Sequence, residues 1–508
     1  MTTTFEPELH PGELVEPQTR PRDPLCLVRR APGSVLLGLA GSVLVTVAGA
    51  RLSGGTVRWW FHPRIPPGGS TNEVILYLGM AALAIAWLGI GRAVRSHTPA
   101  PSAVAAVGFL WCAPLLLSAP LFSRDVYSYI AQGTIAHLGL SPYHDAPAVL
   151  GRLGQSHVLG AVDPFWRRVT APYGPLFLSA VSVIVSITGT NLVLGALLVR
   201  AIEILGLVLL AVYLPRLARV GGADPARAVW LVLLSPLVLL QLVAAAHNDL
   251  LMIGLIVAGV TLALEGRPLL GVAVCALATT IKVPAIAAVI FILVTWARND
   301  PSWPGRLRIV ARGALVAAAV LAAVTLISGL GIGWVSTGLF STPGKVRLAV
   351  TPATALAWTI ASVLHGGVAA NFKGIESVLR PIGFAISVLL ALRLLERSRL
   401  QTVPRYLGLA LIAFAFGGPA AWPWYFAWGL VLLAAASPTQ ASWLVAAALV
   451  AGAFLVKPDG ILLLSRGSAP FVLGFYVVIG AVAWYTSRHR GRAGDRSRGS
   501  ARSALAEP

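Results

Sequence analysis

Long apolar runs recur from Ser34 to Tyr485, separated by short polar stretches rich in Arg, Gly, Pro and Asp. A helix that crosses a bilayer needs about 20 apolar residues, with a range of about 17–25. By that measure the pattern predicts spans over roughly 34–50, 72–94, 103–122, 191–214, 227–246, 249–265, 310–329, 378–396, 405–421, 423–437, 441–456 and 469–486. The stretch 267–297 reads as two short helices broken at Lys282 and Pro284. Together these make about fourteen crossings of an all-α polytopic membrane protein.

Basic residues orient the scheme. They cluster at Arg29/Arg30, Arg92/Arg95, Arg216/Arg219/Arg227, Arg298 to Arg312, Arg393 to Arg405 and Arg488 to Arg502. Cytoplasmic loops carry an excess of Lys and Arg, so all these clusters belong on that side and both termini are cytoplasmic. Arg51, Arg58 and Arg64 fall outside in this scheme. Counting 173–188 or 352–366 as crossings would put later Arg clusters outside, so both read as helices lying on the outer face. The region from about 123 to 190 becomes one large extracytoplasmic loop within a membrane domain of residues 34–486. It is flanked by a polar tail, 1–33, and a basic tail, 487–508, that suits anionic lipid.

Composition agrees. The 508 residues are 57% hydrophobic and 11% charged, with mean hydropathy +0.80; a soluble domain has about 25% charged residues. The formal charge of +20 is spread among hydrophobic segments, so the positive-inside bias explains it better than nucleic-acid binding. Cys26, Cys112 and Cys275 have no metal or disulfide spacing.

Polar groups remain that the hydropathy pattern does not explain. Asp125, in SRDVYSYIAQG, is a candidate general base toward a hydroxyl, with Arg124 beside it. Tyr127, Tyr129, Tyr143, Phe165, Trp166 and Tyr173 suit sugar stacking or, alternatively, an interfacial aromatic belt. His247-Asn248-Asp249 sits at the turn of an apolar hairpin and is a candidate substrate-binding group, where Asp249 serves either as a helix cap or to bind an acceptor hydroxyl or orient a group beside Asp125. Trp424 and Tyr425 join the same predicted face. Lys282, Lys345, Arg347 and Lys457 are outer-side cations suited to a lipid phosphate, or to snorkelling toward headgroups. Arg200 and Glu203, at i and i+3 inside a span, read as a structural ion pair. There is no Walker A loop, no dinucleotide GxGxxG and no DxD motif, which disfavours a soluble nucleotide-linked donor.

The order of SRDVYSYIAQG, GLSPY, APYGPL, AAHNDLLMIGLI, TTIKVPA, PAAWPWYFAW and LVKPDG resembles that in the actinobacterial polyprenyl-phosphomannose-dependent α-(1→6)-mannosyltransferases. The resemblance covers about residues 34–486. It implies a GT-C glycosyltransferase fold with horizontal helices in the first outer loop. It implies transfer of mannose from polyprenyl-phosphate mannose to the 6-hydroxyl of a lipid-anchored mannan acceptor, with inversion, at the outer face of the plasma membrane, in lipomannan and lipoarabinomannan assembly. Asp125 would be the base, the cations would hold the departing lipid phosphate, and neither metal nor cofactor is implied. Another lipid-phosphate sugar, such as arabinose, is the nearest alternative. A transporter or lipid-linked glycan flippase would need internal repeats, and none is evident.

Overall fold

A computed structural model describes residues 23, 25–52, 57–59, 69–338, 351–365, 372–418, 420–436, 442–463, 469–474 and 476–477. The expected cations Lys345 and Arg347, most of both expected tails and most of the span 469–486 lie outside these residues. Among the described residues the chain is helical, and its one β feature is an isolated bridge between Val456 and Leu462.

The helices of nine or more residues are α1 (Pro32–Leu52), α2 (Gly69–His97), α3 (Pro101–Leu116), α4 (Asp125–His137), α5 (Pro175–Thr188), α6 (Leu192–Val220), α7 (Pro225–Leu233), α8 (Asp249–Leu264), α9 (Pro268–Thr279), α10 (Ile286–Ala297), α11 (Trp303–Ser328), α12 (Pro352–His365), α13 (Phe372–Arg397), α14 (Val403–Gly417), α15 (Pro423–Ala436) and α16 (Ser442–Phe454). Their starts are written in the sequence. Proline stands in the first turn of α3, α5, α7 and α9, where its missing N–H costs nothing. Asn191, Asp224 and Ser302 cap α6, α7 and α11 with side-chain oxygens.

Among the described residues, six helices are long and apolar enough to cross a membrane, or up to seven if a bent pair counts as one. Large side chains remain open on these helices: Leu326 and Ile327 of α11 are 79% and 87% exposed. An apolar surface of that kind is explained by lipid contact. The chain is therefore a membrane-embedded polytopic protein.

Several apolar runs are not single rods. The run 103–122 is helical only to Leu116, and the chain then turns. The run 227–246 bends by 52° between α7 and a π-helical segment, Leu237–Ala244, at Ser235-Pro236. Hydropathy alone cannot see such a break, because the residues on both sides are equally apolar. As expected, 267–297 is two short helices, joined through Lys282 and a turn at Val283–Ala285.

Helix backbones meet at reciprocal glycines. A Cβ on Gly254 would lie 2.6 Å from the Gly206 carbonyl oxygen, and one on Gly41 or Gly79 would lie 2.8 Å from the other's carbonyl oxygen. Close approach at small residues is how helices associate where no hydrophobic force separates them from lipid. Trp87 and Trp230 lock α2 to α7: each indole N–H donates to the other's backbone carbonyl, at 3.0 and 2.7 Å, and the rings stack at 4.7 Å.

The expected Arg200–Glu203 pair does not form. The Arg200 guanidinium donates instead to the carbonyls of Leu116 (2.7 Å), Ser118 (2.8 Å) and Ala244 (2.9 Å). Helices that end inside the protein leave carbonyls open, and those acceptors outbid a side-chain neighbour on the same helix. The Glu203 carboxylate is fully buried and faces the Leu251 backbone rather than Arg200.

Gly254→Leu is expected to lower the thermal unfolding temperature of the detergent-solubilised protein, because overpacking costs about 1–3 kcal/mol. Gly33→Ala, whose Cβ would meet no atom within 4 Å, is the control and should leave it nearly unchanged. Equal behaviour of the two would rule out the glycine contacts as a packing constraint.

Candidate active site

Five connections converge on one cavity of about 340 Å³. They are the turn into α4 (Phe122 to Asp125), the loop Asp163 to Tyr173, the turn after α9 (Lys282 to Pro284), the entry to α15 (Ala420 to Trp428) and the turn Asp459 to Leu462. Backbone bonds hold these connections to each other. The N–H groups of Gly174 and Leu176 donate to the carbonyls of Ile281 (2.8 Å) and Thr280 (3.1 Å). Phe122 N–H donates to the Pro458 carbonyl at 3.2 Å. The motifs SRDVYS, APYGPL, TTIKVP, WPWYFAW and KPDG, distant in sequence, thus frame one space.

Three carboxylates line it. Asp163 and Asp459 each accept the backbone N–H two residues ahead, from Phe165 at 2.9 Å and Ile461 at 3.0 Å, which shapes their own turns. Asp125, at the first position of α4, differs. Its Oδ2 lies 3.6 Å from His247 Nε2, and its side chain is 14% exposed toward the cavity. Burial pushes the Asp125 carboxyl above the usual carboxylate range, while His247, Lys282 and Ser123 pull it back. A carboxyl so placed is a better base than a free one. Arg124 borders the same cavity and donates to the Ala161 carbonyl at 2.6 Å.

Behind Asp125 lies a fixed electrostatic block. The Lys282 ammonium donates to both oxygens of Asp249 at 2.9 Å. The Trp428 indole N–H donates to Asp249 Oδ1 at 2.5 Å. The ammonium also lies over the rings of Tyr425 (4.6 Å), Trp428 (5.5 Å) and Tyr173 (5.9 Å), an aromatic cage. Lys282 borders the cavity and Asp249 does not, so the pair presents its positive end.

The walls are aromatic: Phe165, Trp166, Tyr173, Trp422, Trp424, Tyr425 and Trp428. Trp424 and Trp428 share a helix face at i and i+4. Trp422 stacks on Trp424 at 4.7 Å, and Trp424 on the His247 ring at 4.0 Å. Such flat, rigid faces suit pyranose rings.

The residues singled out from sequence thus divide. Asp125, Arg124, Phe165, Trp166, Tyr173, Lys282, Trp424 and Tyr425 border the cavity. Tyr127, Tyr129 and Tyr143 are buried, and Tyr129 packs edge-on against Tyr173 and Phe177. His247, Asn248 and Asp249 are fully buried one layer behind. Lys457 is exposed and does not border the cavity. Sequence reasoning passed over Trp428, although its spacing from Trp424 on a helix was the available signal. It also passed over Ser123, Asp163 and Asp459, which nothing in the sequence separates from ordinary turn residues. Among the described residues no group of three or more His, Cys, Asp and Glu side chains lies together as metal ligands would.

Comparison with known proteins shows the family. Residues 35–298 match the family model for the α-(1→6)-mannopyranosyltransferase N-terminal domain, and residues 352–488 match the MptB C-terminal domain. The chain is 33% identical over 479 residues to α-(1→6)-mannopyranosyltransferase A of Mycobacterium tuberculosis, covering 89% of each chain. It is 28% identical over 414 residues to α-(1→6)-mannopyranosyltransferase A of Corynebacterium glutamicum, covering 76% of this chain and 82% of the relative. It is also 28% identical over 517 residues to α-(1→6)-mannopyranosyltransferase B of that organism, covering 91% of this chain and 83% of the relative. No solved structure matches the chain. A membrane-embedded helical chain, matched along most of its length and enclosing a carboxylate in an aromatic cavity, belongs to the α-(1→6)-mannopyranosyltransferase family of hexosyltransferases.

Proposed function

We propose that the protein transfers mannose from polyprenyl-phosphate mannose to the 6-hydroxyl of a lipid-anchored mannan acceptor at the outer face of the plasma membrane, in the assembly of lipomannan and lipoarabinomannan. The observation that carries this reading is Asp125, a carboxylate at the rim of an aromatic cavity with a buried histidine at its back. The architecture is then of the GT-C type, with the shorter apolar helices completing about fourteen crossings, α5 and α12 lying along the outer face, and both tails cytoplasmic.

The chemistry follows from the side chains. Asp125 takes the proton from the acceptor hydroxyl. The oxygen attacks the anomeric carbon from the face opposite the phosphate, inverting the β-linked donor to an α-(1→6) product. The lipid phosphate gains a negative charge as it leaves. Lys282 supplies positive charge at the cavity wall, and the aromatic cage fixes its ammonium before the reaction, so no reorganisation is required then. Trp424, Tyr425 and Trp422 orient the sugar rings. Arg124 closes the side of the cavity nearest the Asp163 loop. The alternation of polar turns and apolar helices keeps the polyprenyl chain in lipid while its phosphate reaches the cavity.

Two experiments test the reading. The first measures transfer of radiolabelled mannose from polyprenyl-phosphate mannose to a short α-(1→6)-mannoside in membranes. Asp125→Asn should lose on the order of 10²-fold or more, the usual worth of a general base; full activity would remove Asp125 from the mechanism. The second concerns Lys282. Lys282→Met strands the Asp249 carboxylate, whose side chain is 1% exposed, and should destabilise the protein by about 3–5 kcal/mol. The double change Lys282→Met with Asp249→Leu should recover much of that stability, because a buried pair is replaceable by apolar groups. It should not recover transfer. Recovery of both would show that Lys282 acts only in folding.

A further inference from the structure

His247 is fully buried and does not border the cavity, so a role in touching the sugar does not fit its position. Its ring is fixed in place all the same. Trp424 stacks on one face at 4.0 Å with the planes 21° apart. Nδ1 is hydrogen-bonded to the backbone carbonyl of Gln241. A carbonyl only accepts, so Nδ1 carries the hydrogen, and Nε2 is the atom that gains or loses a proton. Nε2 has no hydrogen-bond partner within the usual limit and points at Asp125 Oδ2, 3.6 Å away. A gap of that size at rest is ordinary for groups that close up only when substrate is bound.

The charges around the ring leave Asp125 as the group that decides its state. Asp249 and Lys282 face His247 from the start of α8 and from the turn after α9 and act on it in opposite directions, while being paired to each other at 2.9 Å. From the π-helical segment and from α15, the remaining neighbours are the Gln241 carbonyl and the neutral Trp424 ring. Tyr129 and Tyr173 feel the Asp125 charge and are neutral phenols.

We propose that His247 and Asp125 form a proton-sharing pair, in which the proton removed from the acceptor hydroxyl is held between Asp125 Oδ2 and His247 Nε2. The inference rests on Asp125 being the base. The balance is as follows. The acceptor O–H bond breaks and its electron pair forms the new bond to the anomeric carbon. The bond from that carbon to the phosphate oxygen breaks, and its pair leaves on the phosphate. The phosphate passes from a diester to a monoester and gains one negative charge. The Asp125–His247 pair gains that proton and with it one unit of positive charge. The site as a whole keeps its charge, which matters where the groups that carry it are largely buried. His247 is thus a positioning residue: Nε2 gives the proton a second place beside Asp125 Oδ2, so the pair takes it up more readily than the carboxylate alone.

The sign of the pH dependence follows. The productive pair is unprotonated, so kcat of the wild type falls below the apparent pKa of the pair, with a single-proton acidic limb. Without Nε2 as a second acceptor, the proton can rest only on Asp125, and the site holds it less tightly than the pair does. His247→Gln should therefore lower the plateau kcat on the order of 10²-fold, move the acidic limb to lower pH and leave the donor KM close to wild type. In the Asp125→Asn background the same change should cost almost nothing further, because the two residues act as a unit. His247→Asn keeps an amide donor for the Gln241 carbonyl and serves the same test if the Gln variant does not fold. An unmoved acidic limb, a full additive loss in the Asp125→Asn background, or a wild-type profile with no acidic limb overturns the pair. If Asp125→Asn is itself fully active, the base assignment fails first. If Asp125→Asn is inactive and His247→Gln is not, the pair alone fails.

Discussion

Backbone groups in an apolar interior must find partners, and the guanidinium of Arg200 answers that demand at the centre of the molecule. α3 stops at Leu116 and the π-helical segment stops at Ala244, each leaving carbonyls open within a buried region. Arg200 is 1% exposed and donates to Leu116, Ser118 and Ala244 together. The first two precede Asp125 and the third precedes His247. One side chain on α6 therefore sets the spacing between the two turns that carry the reactive groups. A lysine could not do so, since a single ammonium lacks the planar fork that spans three acceptors.

A second layer of order comes from charge placed where it is costly. Lys282 and Asp249 are each little exposed, and an ion pair there is stable only if its remaining hydrogen-bonding capacity is met. The Trp428 indole meets it on the acid side, and the faces of Tyr425, Trp428 and Tyr173 meet it on the ammonium side. The same aromatic residues form the cavity wall. Stabilising the pair and shaping the sugar site are one arrangement, so α15 cannot shift without disturbing both.

Among the described residues, two of the three non-glycine residues with positive φ lie at the same place. Phe122 and Ala246 hold positive φ, at 64° and 56°, a conformation that side chains with a Cβ disfavour. Each lies just before a reactive segment, Phe122 before Ser123-Arg124-Asp125 and Ala246 before His247. The cost is of order 1–3 kcal/mol per residue, sustained only where surroundings over-determine the turn. Here the Pro458 carbonyl holds the first turn and Arg200 holds the second.

Much of this was legible in the sequence. Apolar run length and basic clusters sufficed for a polytopic helical membrane protein, and the break at Lys282 followed from a charge and a proline inside an apolar stretch. Asp125 stood out because a carboxylate at the end of such a run is costly without a purpose. The partners of these groups were not legible. Arg200 and Glu203 are three residues apart on one helix, yet Arg200 bonds carbonyls from two other segments. Asp249 resembled a helix cap, yet its carboxylate binds Lys282 and Trp428, 33 and 179 residues away. His247 resembled a substrate contact, yet it lies behind Asp125. The sequence by itself determined which segments are apolar and where polar groups interrupt them, because hydropathy and helix breaking are local properties. Only the tertiary structure decided which polar groups meet, because in a buried interior each one takes whatever partner packing brings within reach, whatever its distance along the chain.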